Sequence, residues 1–91
     1  MDITGKIAIV TGGGQGIGAA LAQALHQAGA KHVCVSDLNG DNAKQVAQSI
    51  GGTGLMVDVR DADQITAMIE QIETDHGPVD LMCSNAGIAN G

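Results

Sequence analysis

Four short apolar runs recur along the chain at intervals of about 25 residues: Ile7-Ala8-Ile9-Val10, Val33-Cys34-Val35, Leu55-Met56-Val57 and Val79-Asp80-Leu81-Met82-Cys83. This spacing leaves few folds open. Each run is short enough to be a strand and is apolar almost throughout rather than at alternate positions, the pattern of strands covered on both faces. Between the runs lie three stretches of helical period. The first puts Ile17, Leu21, Ala24, Leu25 and Ala28 on one stripe and stops at Gly29. The second shows Ala43, Val46, Ala47 and Ile50 and ends at Gly51-Gly52. The third shows Ile65, Met68, Ile69 and Ile72, with Asp61 placed to cap its start, Gln64 at the reciprocal capping-box position and Gly77-Pro78 past its end.

The order β-α-β-α-β-α-β calls for a parallel sheet with right-handed crossovers, an α/β architecture. With strand order 3-2-1-4, the chain reverses direction between strands 1 and 4 and opens a crevice at their carboxyl ends, where a ligand is expected. The first two helices then cover one face and the third covers the other. Strand 4 is left as an apolar edge, which predicts self-association into a homo-oligomer or cover by further chain. The core must be aliphatic, because none of the 91 residues is aromatic. A chain of this length makes one domain at most. Cys34 and Cys83 fall on strands 2 and 4, about two strand spacings or ~9.6 Å apart, too far for a disulfide. They are expected to be structural thiols of a reducing, cytoplasmic environment. The three histidines, His26, His32 and His76, are too scattered for a metal site and are expected in solvated or capping roles.

Charge narrows the ligand. Ten acidic residues against four basic ones give a formal net charge of −6, which argues against nucleic acid as a partner. No apolar run approaches the ~20 residues of a membrane span. With so few cations, an anionic ligand would be held chiefly by backbone N–H groups and helix dipoles. The place for this is Thr11-Gly12-Gly13-Gly14-Gln15-Gly16-Ile17-Gly18, between the first strand and the first helix. Glycines there permit positive φ and let a pyrophosphate approach the backbone. A P-loop is excluded, since no Lys-Ser or Lys-Thr follows the glycines.

Thr11-Gly12-x-x-x-Gly16-Ile17-Gly18 resembles the TGxxxGIG cofactor motif of the short-chain dehydrogenase/reductase family, and further landmarks keep its register. Asp37 ends strand 2, Asp58-Val59 ends strand 3, and Asn85-Ala86-Gly87-Ile88 follows strand 4. The family more commonly carries Asn-Asn-Ala-Gly at the last of these, where this chain has Ser84 in the first position. The resemblance implies a Rossmann-like sheet, residues 1–91 forming the incomplete, N-terminal half of a doubly wound dinucleotide-binding domain. It implies that Gly12, Gly16, Ile17 and Gly18 shape the turn at the pyrophosphate while Thr11 braces it. Asp37 would accept hydrogen bonds from the adenosine ribose, Asp58 would meet the adenine amino group beside the Val59 backbone, and Asn85, Ala86 and Gly87 would line the crevice. Structural roles stay open to the same side chains: turn capping for Asp37, strand-end capping for Asp58, turn chemistry for Asn85.

The carboxylate of Asp37 favours NAD over NADP. A 2′-phosphate within a few Å would meet repulsion of about 4 kcal/mol per unit charge pair at 4 Å and an effective dielectric of 20, before solvent reduces it. Neither Gln15 nor Leu38 supplies a compensating cation. The family resemblance further implies hydride transfer between NAD and a small alcohol or carbonyl, carried by a Ser and a Tyr-x-x-x-Lys pair. This chain has no tyrosine, and no residue of it is assigned a catalytic role. It is expected to be the cofactor-binding portion of such an oxidoreductase and to be inactive alone. Two alternatives stay open: a stand-alone, non-catalytic nucleotide-binding module, and a half-domain for S-adenosylmethionine, whose sites also use a glycine turn and acidic strand ends.

Overall fold

A computed structural model describes residues 2–85 of the chain. Seven elements alternate as β1 (Ile7–Thr11), α1 (Gly16–Gln27), β2 (His32–Asp37), α2 (Gly40–Ile50), β3 (Thr53–Met56), α3 (Ala62–Asp75) and β4 (Leu81–Ser84). The strands form one parallel sheet, as the alternation of strands and helices implies, and in the expected order β3-β2-β1-β4. The central pair is in register from Ile7↔His32 to Thr11↔Ser36, and β4 adds on with Val10 opposite Cys83.

Alternation along β1 divides the core. Ala8 and Val10 join Val33, Val35, Ala22, Leu25, Ala43, Ala47 and Ile50 in a cluster beneath α1 and α2. Ile7 and Ile9 join Cys34, Val57, Met68 and Ile72 in a second cluster beneath α3. The helices therefore cover the faces as expected, two on one and one on the other. Ile9, Val10, Val35 and Ile72 are wholly buried, and each such side chain contributes about 1.5–3 kcal/mol of transfer free energy in a core without aromatics. Both cysteines are free. Cys34 lies in the α3 cluster and Cys83 packs against the other, so the two point to opposite faces.

Four local expectations need correction. Helix α1 buries Gly18, Ala22 and Leu25, while Ile17, Ala24 and Ala28 are exposed. Near the glycine turn its contact stripe is set by Gly18 and Ala22, small residues that let backbones approach, and only Leu25 adds a large buried side chain. Strand β3 begins two residues earlier than the apolar run, at Thr53, and Val57 lies beyond it, so Asp58-Val59 follow the strand in a loop. Strand β4 begins at Leu81: the Asp80 amide donates to Ile7 O at 2.9 Å, but the Ile7 amide goes to the Asp80 carboxylate, also at 2.9 Å, rather than to a backbone carbonyl. At α3, Asp61 caps the amides of Asp63 and Gln64, but the Gln64 carboxamide oxygen turns to the Asp58 amide at 2.8 Å instead of closing a capping box.

Candidate functional site

The glycine turn sits at the carboxyl end of β1, flanked by the ends of β2 and β4. Gly12 and Gly16 take φ of 66° and 60°, the left-handed region that side chains disfavour. The turn is pinned from both sides. Gly13 donates its amide to Ser36 O at 3.0 Å, and Gly14 donates to Asp37 Oδ2 at 2.9 Å. On the β4 side, the Asn85 amide donates to Thr11 O and Thr11 Oγ1, at 3.2 and 3.1 Å, and its side-chain Nδ2 donates to Gly12 O at 3.3 Å. Thr11 in turn donates its hydroxyl to Cys83 O at 3.3 Å. Thr11 thus braces the turn, as its place in the motif implies, and Asn85 works as a turn former whose side chain reaches the glycines.

Close approach explains why the residues are glycine. A Cβ on Gly18 would stand 2.0 Å from Gly12 O, and one on Gly14 would stand 2.8 Å from Asp37 Oδ2. At Gly16 a Cβ would meet nothing within 4 Å, so that residue faces open space. Helix α1 then starts from Gln15, in extended conformation, with no side-chain cap and no acidic residue in its first turn. Its first amides and the positive end of its dipole are left without a carboxylate or hydroxyl of the protein, which suits an anion. Ile17 stands 79% exposed beside them.

Asp37 closes β2. Its Oδ2 accepts from Gly14 and its Oδ1 accepts from the Asn39 amide at 3.0 Å, so the turn-capping role and a place beside the glycines coexist in one side chain. Asn39 caps α2 by accepting from the Asn42 amide at 3.1 Å, and Asn42 Nδ2 donates to Gln15 Oε1 at 3.5 Å. The starts of α1 and α2 are thereby linked across Asp37. Sequence reasoning missed this linkage, although Asn39 directly before a helical stretch is a capping signal.

Asp58 lies just beyond β3, with its carboxylate gripped by Arg60. Arg60 donates from its amide and Nε to Oδ1, at 2.9 and 3.0 Å, and from Nη2 to Oδ2 at 2.9 Å. The side-chain hydrogen bonds from Arg60, then its backbone amide, hold the Asp58 carboxyl below the usual carboxylate range. Arg60 itself is exposed. Val59 follows in the same loop, half-buried. Ala86 and Gly87 lie outside the described residues. Among the described residues no group of three His, Cys, Asp or Glu side chains could hold a metal, and no helix is long and apolar enough to cross a membrane.

Residues 6–91 match the short chain dehydrogenase family. The chain is 42% identical over 91 residues to a (+)-cis,cis-nepetalactol synthase of Nepeta racemosa, covering 97% of this chain and 34% of the relative. It is 40% identical to (+)-borneol dehydrogenase 1 of Salvia officinalis, covering 98% of this chain and 35% of that one. Against a 3-oxoacyl-[acyl-carrier-protein] reductase of Salmonella typhimurium it is 41% identical, over 97% of this chain and 36% of the reductase. A crystal structure titled ribose-5-phosphate isomerase, from Brucella melitensis, superposes with a TM-score of 0.82 at 34% identity, covering 96% of this chain and 34% of that one. The chain thus spans about a third of the length of the curated relatives it matches.

Proposed function

The chain belongs to the short chain dehydrogenase family, and on that premise we propose that it is the NAD-binding portion of an oxidoreductase acting on a small alcohol or carbonyl. In this reading residues 1–91 are the first half of a dinucleotide-binding domain. One observation carries it: the Asp37 carboxylate is fixed against the glycine turn by the Gly14 amide, with Asn39 on its other oxygen. A carboxylate has about four acceptor sites, and these two amides use two, so two are left for the hydroxyls of a ribose diol. Pyrophosphate fits the uncapped start of α1, at the turn that Gly12, Gly16, Ile17 and Gly18 shape and where Gly16 faces open space. Asp58 and Val59 are assigned to the adenine, with the free acceptor direction of Asp58 Oδ2 for its amino group. Asn85, Ala86 and Gly87 are assigned to the ribose side of the crevice.

When bound, NAD supplies the nicotinamide that accepts or returns the hydride. The residues of this chain bind and orient it. No tyrosine is present among the 91 residues, so the Ser and Tyr-x-x-x-Lys chemistry that the family implies is not theirs, and the 91 residues alone are inactive in this reading. NAD is preferred over NADP because a 2′-phosphate would approach the fixed Asp37 charge, and Arg60, a cation near the carboxyl end of β3, is already engaged by Asp58. Two free cysteines fit a reducing cytoplasm, and the apolar edge at β4 fits a homo-oligomer.

The relatives' names span a synthase, a dehydrogenase and a reductase, so the substrate is left at its chemical class. Calorimetric titration of the full-length protein with NAD, NADP and S-adenosylmethionine tests the reading. NAD should bind tighter than NADP by one to two orders of magnitude. Tighter NADP binding would overturn the cofactor choice, and saturation by S-adenosylmethionine without a response to NAD would overturn the function.

A further inference from the structure

At the end of the sheet opposite the glycine turn, two histidines meet face to face. His32 opens β2 and His76 caps the C-terminus of α3; their ring centroids are 3.5 Å apart and their planes 16° from parallel. His32 Nε2 also lies 2.8 Å from Thr53 Oγ1, at the start of β3, in a hydrogen bond whose direction follows the tautomer. One contact set thus joins two strands to the end of a helix. The rest of α3 is held by the aliphatic side chains of Ile65, Met68, Ile69 and Ile72 and, at its other end, by the Asp61 cap. Beyond His76 the helix closes with the His76 amide on Ile72 O at 2.8 Å and the Gly77 amide on Glu73 O at 3.1 Å.

We propose that the stacked His32 and His76 rings form a proton-sensitive latch, which holds the C-terminal end of α3 to the sheet while His32 is neutral and loosens it when His32 is protonated. The surrounding charges set the direction. Lys31 places its ammonium on His76 O at 3.3 Å and opposes a second cation there. Asp75 favours a proton on His32. The other charges at this end are engaged elsewhere: Glu73 accepts the Val79 amide at 3.2 Å and Asp80 accepts the Ile7 amide at 2.9 Å. Lys6 meets Lys31 only through its carbonyl, which accepts the Lys31 amide at 2.7 Å, and Thr53 is neutral.

Partial burial, then the neighbouring His76, pulls His32 below its ordinary value of 6.5, with Asp75 acting against both. A group whose folded pKa lies below its unfolded one supports the fold fully above the unfolded value. That support is lost as pH falls through the folded value. The latch is therefore closed above the ordinary histidine value of 6.5 and opens as pH falls below it.

The test is NMR on the full-length protein without nucleotide, following the imidazole titrations and the exchange protection of the His76 and Gly77 amides from pH 7.5 to 5. We expect a His32 midpoint below 6.5, and protection of those two amides falling on acidification relative to the β1–β2 ladder, about tenfold for each unit of depression. In His76→Gln the extra acid loss should vanish. A His32 midpoint at or above 6.5 in the wild-type protein overturns the proposal, as does the same acid loss in His76→Gln. The wild-type titration decides alone should the variant not fold.

Discussion

Replacing Gly18 by alanine sets two physical effects against each other, and the structure decides which wins. Inside a helix, Gly→Ala normally stabilises by about 1 kcal/mol, because alanine loses less backbone entropy. Here the new Cβ would stand 2.0 Å from Gly12 O, 2.8 Å from the Gly12 carbonyl carbon and 2.9 Å from Asn85 Nδ2. The two nearest are backbone atoms that cannot swing aside, and the third, a side-chain amide, yields only by giving up its hydrogen bond to Gly12 O. Relief requires the start of α1 to retreat from β1 by about 1 Å in a close-packed interface. Overpacking of this kind costs about 1–3 kcal/mol. Loss of the Asn85–Gly12 hydrogen bond adds about 1 kcal/mol. The net expectation is destabilisation by about 2 kcal/mol, a fall of about 1 M in the urea midpoint at a typical slope. Nucleotide affinity should fall with it, since the amides of the α1 start move with the helix. Equilibrium urea unfolding of the full-length wild-type and variant proteins reads the sign directly. A variant as stable as wild type, or more stable, would refute the close approach of α1 to the glycine turn.

Asp37→Asn should weaken NAD binding and shrink the discrimination against NADP by about tenfold or more, because the fixed charge is gone while the amide oxygen can still accept; parallel calorimetric titrations check both. Asn39→Ala should cost about 1 kcal/mol through the lost α2 cap, measured by urea unfolding, and should also loosen Asp37. Cys34, buried and with its thiol pushed up to about 12 by that burial, should resist alkylation at pH 8 until the protein unfolds, as mass spectrometry of labelled protein will show. Arg60→Ala should raise the Asp58 carboxyl toward its ordinary value, visible as a shifted carboxyl titration by NMR.

The sheet was legible because each strand carries its own signal. Ile7–Val10 and Val33–Val35 are buried on both faces, so burial requires nearly every residue to be apolar, and the pattern survives without reference to any neighbour. Once the strand order is taken as 3-2-1-4, helix placement follows from crossover handedness, which is a property of the backbone. The ends of β3 and β4 were misplaced because hydrogen bonding and hydrophobicity part company there. Thr53 and Gly54 pair with Cys34 and Val35 without being apolar, and Val79 is apolar without pairing. The His32–His76 stack joins residues 44 positions apart through side chains alone, and no local pattern reports such a meeting.

The misread face of α1 follows from the same requirement that makes the turn a candidate site. A helix pressed close to the strand before it must put Gly18 and Ala22 inward, so these small residues define its contact near the turn and the larger Ile17 is left exposed. Anchoring the helical period on Ile17, the most hydrophobic residue near the start, brings in Ala24 and Ala28 in place of Ala22 and so selects a stripe rotated away from the true one. The glycines that carry the motif are therefore themselves the packing signal: Gly18 marks where backbone meets backbone, and Gly12 and Gly16 mark where the chain must turn with positive φ to make that possible. Packing against Gly12 O and an uncapped, open start of α1 are two results of one geometry. A substitution at Gly18 should consequently move stability and nucleotide affinity together without changing the choice of nucleotide, whereas Asp37→Asn leaves that contact untouched, costs one of the two amide hydrogen bonds to the carboxylate and should change the discrimination between NAD and NADP.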